Sequence, residues 1–157
     1  MIYYKPIQIT GASFISVGYN TLLKEDIQLT AWKTSKDVTP RIVIGNNCCI
    51  RRGAHITAAN EIVIGDNLLT GTNVLITDNS HGETTLENLK LSPLKREVVS
   101  KGKVKIGNNV WLGNNVCIMP GVTIGNGVVV GANTVVTKDI PDYAVVVGSE
   151  MRIIKTY

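Results

Sequence analysis

Two histidines are the side chains of this chain best suited to proton transfer near neutral pH, since the ordinary pKa of histidine lies closest to that range. His81 stands in the stretch TDNSHGETT, residues 77–85, where a regular sequence pattern stops before resuming about twenty-five residues later. His55 lies inside the regular pattern, beside Ile56. The position of His81 suggests that the break presents a general base. The alternative is a histidine in an exposed loop.

Other reactive side chains give weaker indications. The three cysteines, Cys48, Cys49 and Cys117, include an adjacent pair and are odd in number, which disfavours a disulfide framework and favours a reducing compartment. They lack the spacing of a metal site, so we predict that no metal is required. The net charge of +4 fits either ordinary surface charge or a few cations that bind the phosphates of a small ligand. Scattered basic residues with few aromatic neighbours disfavour nucleic-acid binding.

A six-residue period must position these side chains. Aliphatic residues recur at every sixth position from Ile106 to Val136, and a second small or aliphatic residue follows each by four. A helix cannot place every sixth residue on one stripe, and a simple strand would not place Gly after the aliphatic residue. A short strand and a tight turn, with Gly or Asn at positive φ, fit the period. The sequence therefore predicts a parallel β-helix with three faces.

The same period extends towards the N-terminus. It runs from Ile44 to Ile62 and, after a two-residue offset, from Ile64 to Ile76, with Cys48 as a small core residue. Residues 7–30 resemble one degenerate coil, and residues 30–41 break the pattern as a loop would. We expect about five coils in all.

One domain accounts for the whole sequence, residues 1–157. We predict an all-β fold with an extruded loop near residues 79–103 and a short tail after Pro141 that caps an end or folds back along a face. No apolar run is long enough to span a membrane, so we expect a cytoplasmic protein without a membrane span.

The hexads resemble those of the left-handed β-helix acyltransferases. Residues 106–148, which begin IGNNVWLGNNV, are similar to the C-terminal half of maltose, galactoside and polysaccharide O-acetyltransferases. Residues 64–82, IGDNLLTGTNVLITDNSHG, resemble the segment that carries the catalytic histidine of these enzymes. The resemblance implies a left-handed coil and a homotrimer whose three sites lie between adjacent prisms. It also implies acetyl-CoA in a groove parallel to the helix axis, and a loop histidine that removes the proton from an acceptor hydroxyl.

Several roles follow around the histidine loop. The resemblance makes His81 the general base and implies that Asn79 binds the acceptor. Asp78 either orients the imidazole, binds the acceptor or only forms a turn, and Glu83 is a second candidate for orientation. We expect His55 to be an outward-facing strand residue without a catalytic role.

The resemblance also implies residues around the thioester. Trp111 would line the site near the thioester and the acceptor and help to bind the acceptor, with its ring outward because the neighbouring Leu112 occupies the inward stripe. The backbone N–H groups of Gly113 and Asn114 are candidates to bind pantetheine or the thioester oxygen.

Further positions match the cofactor contacts of the family. Gly71 and Ala132 match small residues that let the cofactor approach the backbone. Thr137 and Lys138 match residues beside the nucleotide end of coenzyme A. Arg152 and Lys155 match two basic residues that suit its phosphates, although GSEMRIIK departs from the frequent family motif GNPAKVIR.

These features favour an acetyl-CoA-dependent O-acetyltransferase acting on a sugar or surface polysaccharide, with residues 83–103 helping to form the acceptor pocket. An N-acetyltransferase on a nucleotide-linked amino sugar remains open. A serine acetyltransferase is disfavoured because we expect no room for its helical N-terminal domain. A γ-type carbonic anhydrase is disfavoured because it needs three histidine ligands. A non-catalytic scaffold would explain the aliphatic ladders but not the histidine loop or the basic tail.

Overall fold

The computed structural model describes residues 1–3, 7–148 and 152–156, without the side chains of Tyr3, Arg152 and Ile154. The strands of the N-terminal part are β1 (Ile2–Tyr3), β2 (Ile7–Thr10), β3 (Ile15–Val17), β4 (Leu22–Leu23), β5 (Ile27–Ala31), β6 (Arg41–Ile44), β7 (Cys49–Ile50), β8 (His55–Ala58), β9 (Glu61–Ile64), β10 (Leu69–Thr70) and β11 (Leu75–Thr77). The remaining strands are β12 (Asn79–His81), β13 (Val98–Ser100), β14 (Val104–Ile106), β15 (Trp111–Leu112), β16 (Cys117–Ile118), β17 (Thr123–Ile124), β18 (Val129–Val130), β19 (Val135–Val136), β20 (Ala144–Val147) and β21 (Arg152–Thr156). Three short helical turns join them: α1 (Leu86–Leu89) and the 3-10 turns Ala12–Phe14 and Pro93–Lys95.

Three parallel sheets form the faces of a prism. The first face stacks β1, β4, β7, β10, β15, β18 and β20; the second stacks β2, β5, β8, β11, β16 and β19; the third stacks β3, β6, β9, β14 and β17. Successive strands move from one face to the next, which confirms the predicted parallel β-helix. The described strands complete six turns rather than about five, because residues 7–31 contain β2 to β5 and so contribute to two coils.

The core is the predicted stack of aliphatic ladders. The inward hexad positions from Ile106 to Val136 and the residues four positions after them are all buried. Cys48 is buried among them, and this burial raises the pKa of its thiol. Each fully buried Ile, Leu or Val contributes on the order of 1.5–3 kcal/mol, and each coil is stabilised mainly by its neighbours.

The turns between faces are stacked as regularly as the strands. The predicted left-handed turn residues include Asn67 and Asn109, whose φ angles are 60° and 57°. At one corner of the prism, a side chain in each coil accepts a backbone N–H from the coil before it. Asp66 N–H donates to Asn108 Oδ1 at 2.8 Å, and Asn108 N–H donates to Asn126 Oδ1 at 2.9 Å. These bonds satisfy backbone donors that a tight turn would otherwise leave free.

The chain leaves the prism between the second and third faces. Residues 32–40 form the predicted loop between β5 and β6, and residues 78–103 separate β11 from β14. The second excursion is an ordered hairpin, in which β12 pairs antiparallel with β13. Departure begins at Asp78, and Gly82, with a φ of 74°, directly follows β12.

The tail takes one of the two expected courses. β20 continues the first face, and β21 folds back antiparallel onto it. No helix among residues 1–3, 7–148 and 152–156 is long and apolar enough to cross a membrane.

Candidate active site

A cavity of about 600 Å³ opens on the second face, beside the hairpin. Its floor is formed by outward residues of β2, β5, β8 and β11, and its walls come from Trp32 and from the hairpin strands. We call it the hairpin cavity; its lining includes Gln28, Trp32, His55, Thr57, Asn79 and His81. The excursion therefore builds a wall of a cavity instead of projecting freely into solvent.

His81 lies at the end of β12, where its backbone pairs with Val98 on β13. Its side chain is exposed and lines the hairpin cavity. The antiparallel pairing holds the imidazole at a defined position beside the cavity, as a general base requires.

Asp78 does not lie against His81. Its carboxylate is fully buried and accepts the N–H groups of Ala59 and Asn60, each at 2.8 Å, together with the Asn79 amide at 3.0 Å. These contacts favour the turn-forming alternative over orientation of the imidazole or acceptor binding. Glu83 is exposed, and among the described residues neither Glu83 nor Asp78 forms a hydrogen bond with His81.

Asn79 reaches the cavity as predicted. Its amide nitrogen donates to Thr57 O at 3.0 Å, and its backbone N–H donates to Thr77 Oγ1 at 3.2 Å. The side chain is thereby fixed between the hairpin and the floor. Its role toward an acceptor stays a prediction.

His55 is a cavity residue that the sequence interpretation did not place near His81. It faces outward from β8, as expected, but it shares the hairpin cavity with His81. Its Nε2 lies 3.3 Å from Thr30 Oγ1, and burial lowers the pKa of its imidazole. The length of a coil could have indicated this proximity. His55 pairs with Leu75, the first residue of β11, and the hairpin leaves the prism directly after β11.

A second depression of about 490 Å³ lies on the first face. We call it the tryptophan groove; its lining includes Leu69, Gly71, Trp111, Gly113, Asn114 and Ala132. Trp111 is 52% exposed, while the adjacent Leu112 is buried, so the indole faces outward as predicted. Leu69, Trp111 and Val129 pair in register and give the groove an apolar floor.

The two predicted thioester donors differ. The Gly113 N–H donates to Val130 O at 2.7 Å and is therefore not available, which corrects that prediction. The Asn114 Oδ1 accepts the Thr72 N–H at 2.9 Å. The corresponding position in the next coil is Ala132, whose side chain cannot accept the Asn114 N–H. Among the described residues the Asn114 N–H has no partner, so the prediction remains for Asn114.

Gly71 and Gly113 are small for a reason that the sequence interpretation did not anticipate. A Cβ at Gly71 would overlap atoms of Asn114 in the next coil, and a Cβ at Gly113 would lie 2.5 Å from Ala132 N. Both residues line the groove, but the stacking of coils by itself requires glycine there. Ala132 is exposed at the groove, and its predicted cofactor contact stays a prediction.

The predicted phosphate-binding residues are divided between faces. Thr137 and Lys138 are exposed after β19 on the second face and do not line the groove. Lys155 pairs with Val145, which pairs with Val129, so its side chain lies on the face of the tryptophan groove. The side chain of Arg152 lies outside the described residues.

The hairpin cavity and the tryptophan groove share no lining residue and belong to different faces. Within one prism, His81 and Trp111 therefore do not form a common site. No group of three or more His, Cys, Asp or Glu side chains in the described part of the chain could hold a metal ion.

Comparison with known proteins supports the repeat. The family described as bacterial transferase hexapeptide (six repeats) matches residues 103–138. The chain carries the hexapeptide repeat of bacterial transferases. This hexapeptide repeat is consistent with the left-handed winding that the resemblance implied. A search of curated proteins found no match.

Solved structures share the hexapeptide fold. The maltose O-acetyltransferase from Clostridium difficile 630 is 31% identical with a TM-score of 0.63, and the match covers 98% of this chain and 65% of that one. The hexapeptide-repeat acetyltransferase from Vibrio cholerae O1 biovar eltor, complexed with acetyl-CoA, is 25% identical with a TM-score of 0.64, covering 96% and 70%. A variant of the N-acyltransferase AntD from Bacillus cereus, in complex with dTDP and coenzyme A, is 22% identical with a TM-score of 0.79, covering 98% and 80%, and shows a shared fold. Together these matches support an acyltransferase.

Proposed function

We propose that the chain is an acetyl-CoA-dependent O-acetyltransferase that acts on a hydroxyl of a sugar or surface polysaccharide. One observation carries the proposal: an ordered hairpin holds His81 beside a cavity, on a prism of bacterial transferase hexapeptides. A scaffold would need neither the hairpin nor a histidine beside a cavity. Two solved structures of higher sequence identity, 25% and 31%, are acetyltransferases, and one of them is a maltose O-acetyltransferase.

The reaction needs one proton to move from the acceptor to the leaving thiolate. The imidazole of His81 accepts the proton of the acceptor hydroxyl, and the oxygen attacks the carbonyl carbon of the thioester. The carbon–sulfur bond breaks, an acetyl ester remains on the acceptor, and the imidazolium returns the proton to the thiolate. The unpartnered Asn114 N–H supports a role for this group in stabilising negative charge on the thioester oxygen.

The tryptophan groove suits acetyl-CoA. Its apolar floor of Leu69, Trp111 and Val129 fits the pantetheine arm, and Lys155 extends the same face towards the cofactor phosphates. We propose that acetyl-CoA binds there as cosubstrate.

A homotrimer would complete the site. The base and the groove lie on different faces of one prism, so the hairpin of one subunit must reach the groove of its neighbour. Exposed leucines near the hairpin tip, Leu86, Leu89, Leu91 and Leu94, offer apolar area for this contact. We also propose a cytoplasmic location, where three free cysteines remain reduced.

An N-acetyltransferase that acts on a nucleotide-linked amino sugar would share the fold, the cofactor and the base. The test measures release of the coenzyme A thiol from acetyl-CoA with sugars, polysaccharides and nucleotide-linked amino sugars. We expect release with a hydroxyl acceptor and an ester product that hydroxylamine cleaves. A hydroxylamine-resistant amide product would favour the N-acetyltransferase, and no release with any acceptor would favour a non-catalytic scaffold.

A further inference from the structure

Two rows of neutral polar side chains, together with Leu75, form the floor of the hairpin cavity. Gln8, Gln28 and His55 pair in register on successive strands of the second face and point outward. Leu75 continues this row on the next strand. Two residues further along each strand runs a row of threonines: Thr10, Thr30, Thr57 and Thr77. Neighbouring strands lie about 4.8 Å apart, so the rows present amides, hydroxyls and an imidazole at a regular spacing.

The walls remove part of this floor from solvent. Thr30, Thr57 and Thr77 are on outward positions, yet they are buried. Trp32 on one side and the hairpin on the other line the same space, and the Trp32 indole is still 45% exposed. The outward face is therefore covered here by a flat aromatic surface that a ligand can stack upon.

No charged Lys, Arg, Asp or Glu side chain occurs among the described residues that line the cavity. Burial lowers the pKa of His55, so its imidazole is neutral at neutral pH and can both donate and accept a hydrogen bond. Sugar hydroxyls also donate and accept, and they match such a surface. A diphosphate would need cations, and no Lys or Arg is among the described residues that line the cavity.

We propose that the hairpin cavity binds the acceptor as an uncharged, hydroxyl-rich saccharide, with Trp32 stacking on a sugar ring and Gln28 and His55 bonding its hydroxyls. The inference rests on the proposed function and narrows it, since it disfavours a nucleotide-linked acceptor. A volume of about 600 Å³ lies within the range of small-molecule pockets and leaves room for more than one sugar ring.

The chain contains two tryptophans, and each region holds one of them. The variant Trp111→Phe leaves Trp32 as a reporter of the hairpin cavity, and Trp32→Phe leaves Trp111 as a reporter of the groove. Fluorescence of both variants is measured during titration with maltose, maltotriose, lactose, a dTDP-linked amino sugar and acetyl-CoA. The expected result is that a neutral saccharide changes the emission of Trp32 and that acetyl-CoA changes the emission of Trp111.

One substitution tests a contact residue, and a second serves as its control. In the Trp111→Phe background, His55→Gln is expected to raise the Kd of the neutral saccharide about tenfold, while Tyr19→Ala, an exposed aromatic outside both regions, leaves it unchanged. Thermal unfolding of each variant checks that the prism is intact.

The outcomes separate the two proposals. Tighter binding of the dTDP-linked sugar than of neutral saccharides at Trp32, or a neutral saccharide that is acetylated without changing Trp32 emission, would overturn the inference alone. A Trp111 emission that acetyl-CoA does not change, together with no thiol release, would count against the proposed function.

Discussion

The hairpin cavity and the tryptophan groove are built on the same repeat but carry opposite surfaces. On the first face the outward row runs Leu22, Cys49, Leu69, Trp111, Val129 and Val145, and it is apolar throughout. On the second face the corresponding row begins with Gln8, Gln28 and His55 and becomes apolar only from Leu75 onwards. Inward positions are equivalent on both faces because they fill one core.

This difference shows where a repeat protein of this kind can vary. An inward residue must fit the coils above and below it, whereas an outward residue has only solvent or a ligand to satisfy. The hairpin adds a wall to the second face, and the first face receives none. The two regions therefore suit two different ligands, and substitutions in each should have separable effects.

The largest expected effect distinguishes the two histidines of the hairpin cavity. His81→Ala should lower kcat by roughly 10²–10⁴-fold, because it removes the general base. His55→Gln should raise the acceptor KM and leave kcat nearly unchanged. Steady-state kinetics measures both, and sedimentation checks that each variant has the same assembly state as the parent. Equal loss of kcat in the two variants would contradict the assignment of His81 as the base.

The next effect concerns the corner from which the hairpin departs. Asp78→Asn should destabilise the protein by about 1.5–3 kcal/mol, because an amide cannot replace the charge-assisted bonds to Ala59 and Asn60. Thermal unfolding measures the loss, with the exposed Asp37→Asn as the control. Unchanged stability combined with a large loss of kcat would instead support orientation of the imidazole by Asp78.

A comparable loss of stability is expected in the tryptophan groove, where neighbouring coils stack closely. Gly71→Ala should cost about 1–3 kcal/mol of stability even without cofactor, because its Cβ would overlap Asn114. Ala132→Ser, at an exposed position of the same groove, should leave the unfolding temperature unchanged. A Gly71→Ala protein of normal stability that binds acetyl-CoA weakly would favour the original interpretation, in which the small residue admits the cofactor.

A smaller effect tests the groove as the cofactor site. Trp111→Ala should raise the KM for acetyl-CoA about tenfold, which corresponds to ~1.4 kcal/mol of lost aromatic contact. The acceptor KM should not change. An increase in the acceptor KM alone would reverse the assignment of the two regions.

The smallest effect is a pH dependence of stability. Burial lowers the folded-state pKa of His55 below its ordinary value of 6.5, so the unfolded chain binds more protons as the pH falls. His55 should therefore favour folding above pH 6.5 and lose that contribution as the pH falls through its folded pKa. Denaturant unfolding between pH 7.5 and 5 should show a steeper decline for the parent than for His55→Gln. Parallel declines would contradict a desolvated imidazole.

The residues that form the core could be predicted from the sequence. The hexad from Ile106 to Val136 sets which residues point inward, and the break after Thr77 identified the extrusion that carries His81. The environment of Asp78 could not be predicted, because Ala59 and Asn60 belong to the preceding coil and their N–H groups are not visible in a local motif.

Contacts with other parts of the chain also explain the other points at which the structure differs from the sequence interpretation. Gly113 was taken for a donor, but its N–H is used by Val130 of the next coil. Trp32 comes from an irregular loop, and nothing in its local sequence indicates that it faces the hairpin.

The sequence by itself determined the prism, its aliphatic interior and the point at which the chain leaves it, because a six-residue period buries its aliphatic residues when short strands alternate with tight turns. Only the tertiary structure decided which outward residues meet. His55 and His81 come together because β8 and β11 stack in register and a hairpin folds back over both. Such contacts depend on the stacking of coils and on excursions from them, and the repeat does not encode either in its local pattern.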